Sequence, residues 1–312
     1  MKELLLFIFY IIIFLCAMAI LRHGLLNLTG DALRDRIQRV AATPVKGFFT
    51  GMFFTALLQS SSAVMVMTVG LVSVGGLTFQ QSIGIILGSN IGTTITAEFM
   101  TFSLERWIFP GIFAGFILVL TGRRILRHTG FALMGLFLIF FAIGGFTSLA
   151  EPLSGYPFFS MLLASVEDHL LFAVFTGALI TALIHSSTAT IGIAMGFIAG
   201  NEMSVAAGIA LMLGSNIGTC ITGYIAALGS PKEAKLTAYA HIWLNLLGVA
   251  LFYPFISELE WAAALLTDAK QVQLAHASVL FNIICSLLVL PFTNLFSRFI
   301  LSVHDRNRTN GI

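Results

Sequence analysis

The chain has 312 residues, of which 58% are hydrophobic and only 10% charged, with mean hydropathy +0.97 and a formal net charge of +2. Soluble domains carry about 25% charge, so this composition leaves room for membrane spans of about 20 residues and for no soluble domain. The basic residues sit in short loops beside apolar runs, where they set topology and say nothing of nucleic acid.

The first apolar run, Leu4 to Leu21, predicts a retained first span. Ala17-Met18-Ala19 resembles a signal-peptide cleavage site, but the run exceeds an h-region of about 7–15 residues. Asp31 to Thr43 predicts an amphipathic helix lying along the membrane interface, a scaffold with no chemistry. Residues 47–58 and 63–74 are each too short to cross about 30 Å of hydrocarbon at about 1.5 Å per residue. They flank Gln59-Ser60-Ser61-Ser62 and predict a re-entrant hairpin over 47–74 with this polar run at its tip. Full spans follow at 77–97, 107–121 and 131–149. A second hairpin is predicted over 172–200, where 172–184 and 189–200 flank His185-Ser186-Ser187-Thr188. The remaining spans are 203–222, 237–256 and 275–297, giving about seven spans and two hairpins in an all-α membrane fold.

The two hairpins are copies. FTGMFFTALLQSSSAV from Phe49 returns as FTGALITALIHSSTAT from Phe175, and GSNIGTTIT from Gly88 returns as GSNIGTCIT from Gly214, both 126 residues on without a gap. Such duplication predicts a transporter of two related halves, with substrate and coupling ions held where the halves meet. Four consecutive polar residues cover most of a helix's circumference, so each tip survives at membrane depth only inside protein or beside water. The alternative is a serine-rich helix packed through small residues.

Loop charge tests the hairpins. Arg22, Arg34, Arg36, Arg39, Lys46, Arg123, Arg124, Arg127, Lys232, Lys235, Arg298, Arg306 and Arg308 all fall on the cytoplasmic side if both hairpins are re-entrant. The acidic loops 150–169 and 257–274 then lie outside and the C-terminus inside. Were the first hairpin a full crossing, Arg123, Arg124 and Arg127 would oppose the Arg22–Lys46 loop. Three crossings separate the hairpins, so the repeats are inverted and their tips meet near the midplane. Repeat one is 1–126 and repeat two 127–256; 257–312 adds an outer loop, a last span and a short tail.

Each half adds a second polar element, Ser89-Asn90-Ile91-Gly92-Thr93 and Ser215-Asn216-Ile217-Gly218-Thr219. Asn and Gly interrupt helices, so broken helices are expected near 88–94 and 214–220; the alternative is a small-residue packing face. Carbonyl, amide and hydroxyl oxygens at such breaks suit sodium, and helix N-termini suit an anion. No acidic, basic or His residue lies between Lys46 and Glu98, and only His185 and Glu202 between Leu170 and Leu228. An anion held here lacks a fixed counter-charge, so co-bound cations are required.

His241 and Asn245 share a helix face, and His276 and Asn282 sit in the last span; each pair makes an interhelical hydrogen bond or lines the substrate path. Cys16, Cys220 and Cys285 lie in apolar segments and predict neither a disulfide nor a transition-metal site. A Ser–His hydrolase is disfavoured, because His185 adjoins Ser186 in sequence and no acidic group orients the ring. No enzyme activity and no cofactor beyond coupling sodium are expected. A non-transporting scaffold has no need for two polar tips.

QSSSAV with GSNIGTT, repeated as HSSTAT with GSNIGTC, resembles the sodium–phosphate cotransporter family, the animal type II cotransporters and their bacterial relatives. The likeness covers both repeats and implies alternating-access symport of inorganic phosphate with sodium across the cell membrane. By position it implicates Gln59, Ser60, Ser61, Ser62, Asn90, Thr93, Thr94, Ser186, Ser187, Thr188, Asn216 and Thr219. Phosphate is assigned to Gln59, Ser60, Ser61, His185, Ser186 and Ser187, and sodium to Ser62, Asn90, Thr93, Thr94, Thr188, Asn216 and Thr219. Two departures stand out: His185 replaces the family's second glutamine and Thr188 its last serine. The chain ends soon after its last span, so the phosphate-regulator-like domain that some bacterial relatives append is not expected. Another small anion, or phosphate export, remains the alternative.

Overall fold

The computed structural model describes residues 1–29, 41, 43–102 and 104–305. Among these the chain is helical throughout, with no strand. The helices are α1 (Lys2–Thr29), α2 (Pro44–Leu58), α3 (Ser61–Ser73), α4 (Phe79–Phe99), α5 (Ile108–Leu120), α6 (Arg124–Ser154) and α7 (Pro157–Asp168). They continue as α8 (Leu170–Ile184), α9 (Ser187–Ala199), α10 (Val205–Ala227), α11 (Lys232–Phe252), α12 (Ile256–Ala264), α13 (Lys270–Val289) and α14 (Thr293–His304). The starts of α2, α3 and α4 return 126 residues later as the starts of α8, α9 and α10.

Among the described residues, five helical stretches are long and apolar enough to cross a membrane: Lys2–Leu28, Arg124–Ser154, Val205–Ala227, Lys232–Ala264 and Lys270–His304. The two further spans expected from sequence differ for physical reasons. Helix α4 is 21 residues long, but Gln80, Gln81, Ser82, Ser89, Asn90 and three threonines dilute its apolar character. Helix α5 has 13 residues, about 20 Å of length at about 1.5 Å per residue.

Lipid tails offer no hydrophobic drive for helices to associate, so close backbone approach through small residues takes over. Helix α4 presents Gly84, Gly88 and Gly92 on one face to α2. A methyl group at Gly84 would strike the Pro44 carbonyl, at Gly88 the Phe48 carbonyl, and at Gly92 would stand 2.6 Å from the Met52 oxygen. Contacts climb both helices together, so α2 and α4 run parallel and α3 carries the chain back between them. The second copy matches: Gly214 meets the Val174 carbonyl and Gly218 that of Ala178, so α8 and α10 are parallel too.

Other contacts set the remaining directions. Gly24 lies against Ala132, Gly135 against Leu21 and Gly145 against Tyr10, so α1 and α6 are antiparallel. Ser82 bonds Thr237 at 3.0 Å and Asn90 bonds Asn245 at 3.4 Å, which aligns α4 parallel to α11. Asn245 reaches Cys220 at 3.3 Å and Gly223 faces His241, so α10 and α11 are antiparallel. It follows that α4 and α10, the equivalent helices of the two copies, point in opposite directions.

Two expectations change. The stretch 150–169 is no loop: it holds the end of α6 and the whole of α7, which starts with Pro157 at its first position, where a missing N–H costs nothing. The amphipathic helix expected at 31–43 lies outside the described residues apart from Ala41 and Thr43, but α7 is its counterpart at the 126-residue offset.

The glycine contacts give a test. Gly88→Ala and Gly214→Ala should each destabilise the detergent-solubilised protein by about 1–3 kcal/mol, the cost of overpacking, read as a lower Tm. Gly144→Ala, where no heavy atom lies within 4 Å of the added methyl, should leave Tm unchanged or raise it.

Candidate functional site

Each polar tip is a two-residue break between helices. Gln59 ends α2 with φ 50° and His185 ends α8 with φ 56°, both in the left-handed region. That conformation costs a side-chain-bearing residue on the order of 1 kcal/mol or more, so its recurrence at equivalent positions marks a geometry imposed by the fold. Ser60 and Ser186 then turn extended, with φ −162° and −148°, and act as N-caps. Ser60 Oγ accepts from the Ala63 N–H at 3.1 Å, and Ser186 Oγ from the Ala189 N–H at 3.2 Å.

The caps leave Ser61 and Ser62, and Ser187 and Thr188, in the first turns of α3 and α9, where N–H groups lack intrahelical acceptors. Among the described residues no group hydrogen-bonds the side-chain hydroxyls of these four residues, and their oxygens open onto accessible space. Ser61, Ser187 and Thr188 are nonetheless buried overall. Each tip therefore offers free hydroxyls, a helix N-terminus and the last carbonyls of the preceding helix within one turn.

The first residues of the tips behave differently. Gln59 is buried and folds back, its Nε2 donating to the Ala56 carbonyl at 2.5 Å. His185 is exposed, and its Nδ1 lies 3.4 Å from Thr222 Oγ1 on α10.

The second polar elements are not broken. Helix α4 runs through Ser89–Thr93 and α10 through Ser215–Thr219 without interruption, correcting the expected breaks near 88–94 and 214–220. The hydroxyls turn back onto their own helix: Thr93 donates to the Ser89 carbonyl (3.0 Å), Thr94 to Ile91 (2.8 Å) and Thr219 to Ser215 (2.8 Å). Gly92 and Gly218 admit α2 and α8, so they serve packing. Asn90 reaches across to Asn245, whereas Asn216 Nδ2 donates within α10 to the Met212 carbonyl at 2.9 Å.

Packing brings the two copies together crosswise. Met65 of α3 meets Gly223 of α10, and Met100 at the end of α4 meets Gly192 of α9. Each tip helix thus lies against the SNIGT helix of the other copy.

Sequence reasoning missed Thr55 and Thr181, both fully buried. Thr55 Oγ1 bonds Ser89 Oγ at 2.7 Å, tying α2 to α4; Thr181 Oγ1 instead bonds Thr190 Oγ1 at 2.7 Å. The cause is one substitution, because Thr190 stands where the first copy has Val64. The signal was present: this threonine is identical in both copies. His276 makes the expected interhelical contact, with Glu98 at 2.8 Å, but Asn282 Nδ2 bonds its own helix at the Ser278 carbonyl.

Comparison with known proteins settles the family. The Na+/Pi-cotransporter family model matches residues 13–148 and 154–277, which include both tips and both SNIGT helices. The chain belongs to this family. A Bacillus subtilis (strain 168) protein named "Uncharacterized protein YqeW" is 41% identical over 290 residues, 93% of this chain and 94% of that protein. "Putative inorganic phosphate export protein YjbB" of Escherichia coli (strain K12) is 26% identical over 90% of this chain, which spans 52% of that longer protein. "Sodium-dependent phosphate transport protein 2A" of Oryctolagus cuniculus is 33% identical over 112 residues, 34% of this chain and 17% of that protein. No solved structure matches the chain. The family is one of transporters, so the chain is a multi-pass membrane protein of transport.

The tips contain two kinds of serine, and stability separates them. Ser60→Ala and Ser186→Ala should each cost about 1 kcal/mol in unfolding measurements, the worth of an N-cap. Ser61→Ala and Ser187→Ala remove hydroxyls that hold nothing in the protein and should leave stability unchanged.

Proposed function

We propose that the chain carries inorganic phosphate across the cell membrane, coupled to sodium, by alternating access between two inverted repeats. The observation that carries this is the set of four unpartnered hydroxyls, Ser61, Ser62, Ser187 and Thr188, beside two helix N-termini, in hairpins that hold no Asp, Glu, Lys or Arg. Helix N-termini and hydroxyl donors suit an oxyanion. They cannot neutralise a dianion at membrane depth, so cations must enter with it. Backbone carbonyls ending α2 and α8, with amide and hydroxyl oxygens, supply hard ligands for sodium.

In this assignment Gln59, Ser60, Ser61, His185, Ser186 and Ser187 face phosphate. Ser62, Asn90, Thr93, Thr94, Thr188, Asn216 and Thr219 face sodium. The hydroxyls of Thr93, Thr94 and Thr219 donate to carbonyls, which leaves their oxygen lone pairs free for a cation.

Re-entrant hairpins and inversion are supported by helix direction. Because α2 runs parallel to α4, and α8 to α10, each intervening helix doubles back. Contacts at the helix ends agree with the charge-based topology. His23 lies 5.8 Å from His128 at one end, and the N-terminal amine lies 2.6 Å from Tyr156 Oη at the other. The C-terminus is then cytoplasmic. A second reading, phosphate export, is favoured by the name of the Escherichia coli relative. It uses the same site with net flux reversed.

Purified protein in proteoliposomes should accumulate labelled phosphate when sodium is higher outside, and not when potassium replaces it. Ser61→Ala and Ser187→Ala should lower transport at least about fivefold, matching about 1–3 kcal/mol for an unmade buried polar contact. Equal flux in both salts removes sodium coupling; net efflux against an inward sodium gradient selects export.

Topology is tested with single cysteines. An impermeant thiol reagent on intact cells should label Glu151→Cys and Glu202→Cys, and should reach Arg124→Cys and Val74→Cys only after permeabilisation. Labelling of Val74→Cys from outside means that α2 and α3 cross together as one span.

A further inference from the structure

Among the described residues, three sealed side-chain polar atoms lack a hydrogen-bond partner: Arg22 Nε, His128 Nδ1 and His241 Nδ1. The first two lie towards the ends of α1 and α6 that meet at His23. The third is in the middle of the bundle. His241, on α11, is 2% exposed.

Its neighbours place it beside the candidate site. The His241 carbonyl accepts from Asn245 Nδ2 at 2.9 Å and from Cys220 Sγ at 3.5 Å. Asn245 in turn is the partner of Asn90. A methyl group at Gly223 of α10 would stand 3.5 Å from Nδ1 and 3.3 Å from the terminal carbon of Met65 on α3. The glycine thus lets α10 and the Met65 side chain close over the ring nitrogen, which is sealed and without a partner. Met65 is one turn beyond Ser61, and Gly223 one turn beyond Thr219. The unpartnered nitrogen faces the junction of α3, α10 and α11, beside Met65, which lies one turn along α3 from Ser61.

The site needs such a group. Serine and threonine hydroxyls donate or accept equally, so they cannot separate a protonated oxyanion from an unprotonated one. No carboxylate lies between Lys46 and Glu98 to accept a hydrogen from the substrate, and the one in 170–228, Glu202, follows α9 at the far end from the tip. Phosphate keeps a proton at neutral pH, whereas sulfate has none. An imidazole nitrogen without hydrogen is an acceptor only.

We propose that His241 Nδ1 accepts the P–OH hydrogen of phosphate bound at the tips, and so selects protonated oxyanions. The proposal rests on the phosphate-transport reading above and adds a residue outside both tips and both SNIGT elements.

The test measures labelled phosphate uptake into proteoliposomes against arsenate, which is protonated like phosphate, and sulfate, which is not. For the unaltered protein, arsenate competes and sulfate does not. His241→Leu should raise the half-saturating phosphate concentration about tenfold, the worth of one buried hydrogen bond. Arsenate competition should weaken in parallel, with sodium half-saturation unchanged. His241→Gln, whose amide oxygen accepts, should restore most of the affinity. Gly223→Ala sets a methyl against the ring nitrogen and Met65 with the histidine intact and should reproduce the loss. If His241→Leu does not fold, judged by size-exclusion profile, Gly223→Ala and His241→Gln decide. Unchanged phosphate affinity in the folded variants overturns the proposal, as does sodium affinity falling with it. Absence of phosphate transport by the unaltered protein overturns the function itself, and this inference with it.

Discussion

The constraint on which the molecule depends is that backbone polar groups cannot be left bare in hydrocarbon. Each tip interrupts a helix between two apolar segments, freeing N–H groups at the start of α3 and α9 and carbonyls at the end of α2 and α8. Each such group costs several kcal/mol if it meets lipid. The surrounding architecture answers this cost. Parallel pairs α2–α4 and α8–α10 form glycine-lined walls, and each tip helix leans on the opposite copy, so neither break stands alone.

How far this was visible beforehand depends on what each residue's role refers to. The tips were legible because their signal is local: polar residues inside an apolar run, repeated at 126, with halves too short to span. The SNIGT elements were misjudged because glycine has two meanings. Within one strand of sequence, Gly92 and Gly218 are helix breakers. Only the partner helix reveals that they are the closest approach of α2 and α8, and helix continuity follows from that packing. Helix α7 was missed for a similar reason. Its stretch is partly polar and reads as a loop, and only the 126-residue offset ties it to the amphipathic pattern of 31–43.

The lack of charge around the tips also organises function. A site with fixed arginines would bind anions firmly and need no cation, but releasing them on the far side would be costly. Neutral hydroxyls and helix dipoles bind an anion only when cations share the cavity. In the sodium-coupled transport proposed above, coupling arises from electrostatics, with no separate latch required: either ion alone is disfavoured, and both together are tolerated.

Departures from the internal symmetry locate what distinguishes the two halves. Within the repeat, Val64 against Thr190 redirects one buried threonine, and Gln59 against His185 gives one folded-back side chain and one that reaches α10. The largest departure is in the last helix of each half. At the 126-residue offset, His241 and Asn245 of α11 correspond to Gly115 and Val119 of α5. Helix α5 packs on α6 through Gly111 and Gly115, away from the tips. Helix α11 instead inserts between α4 and α10 and brings polar groups to the crossing. Two near-identical tips cannot by themselves give an anion site a preferred orientation. In the role proposed above for His241, a single acceptor supplied from α11, with no counterpart in α5, breaks that equivalence at the point where the halves meet.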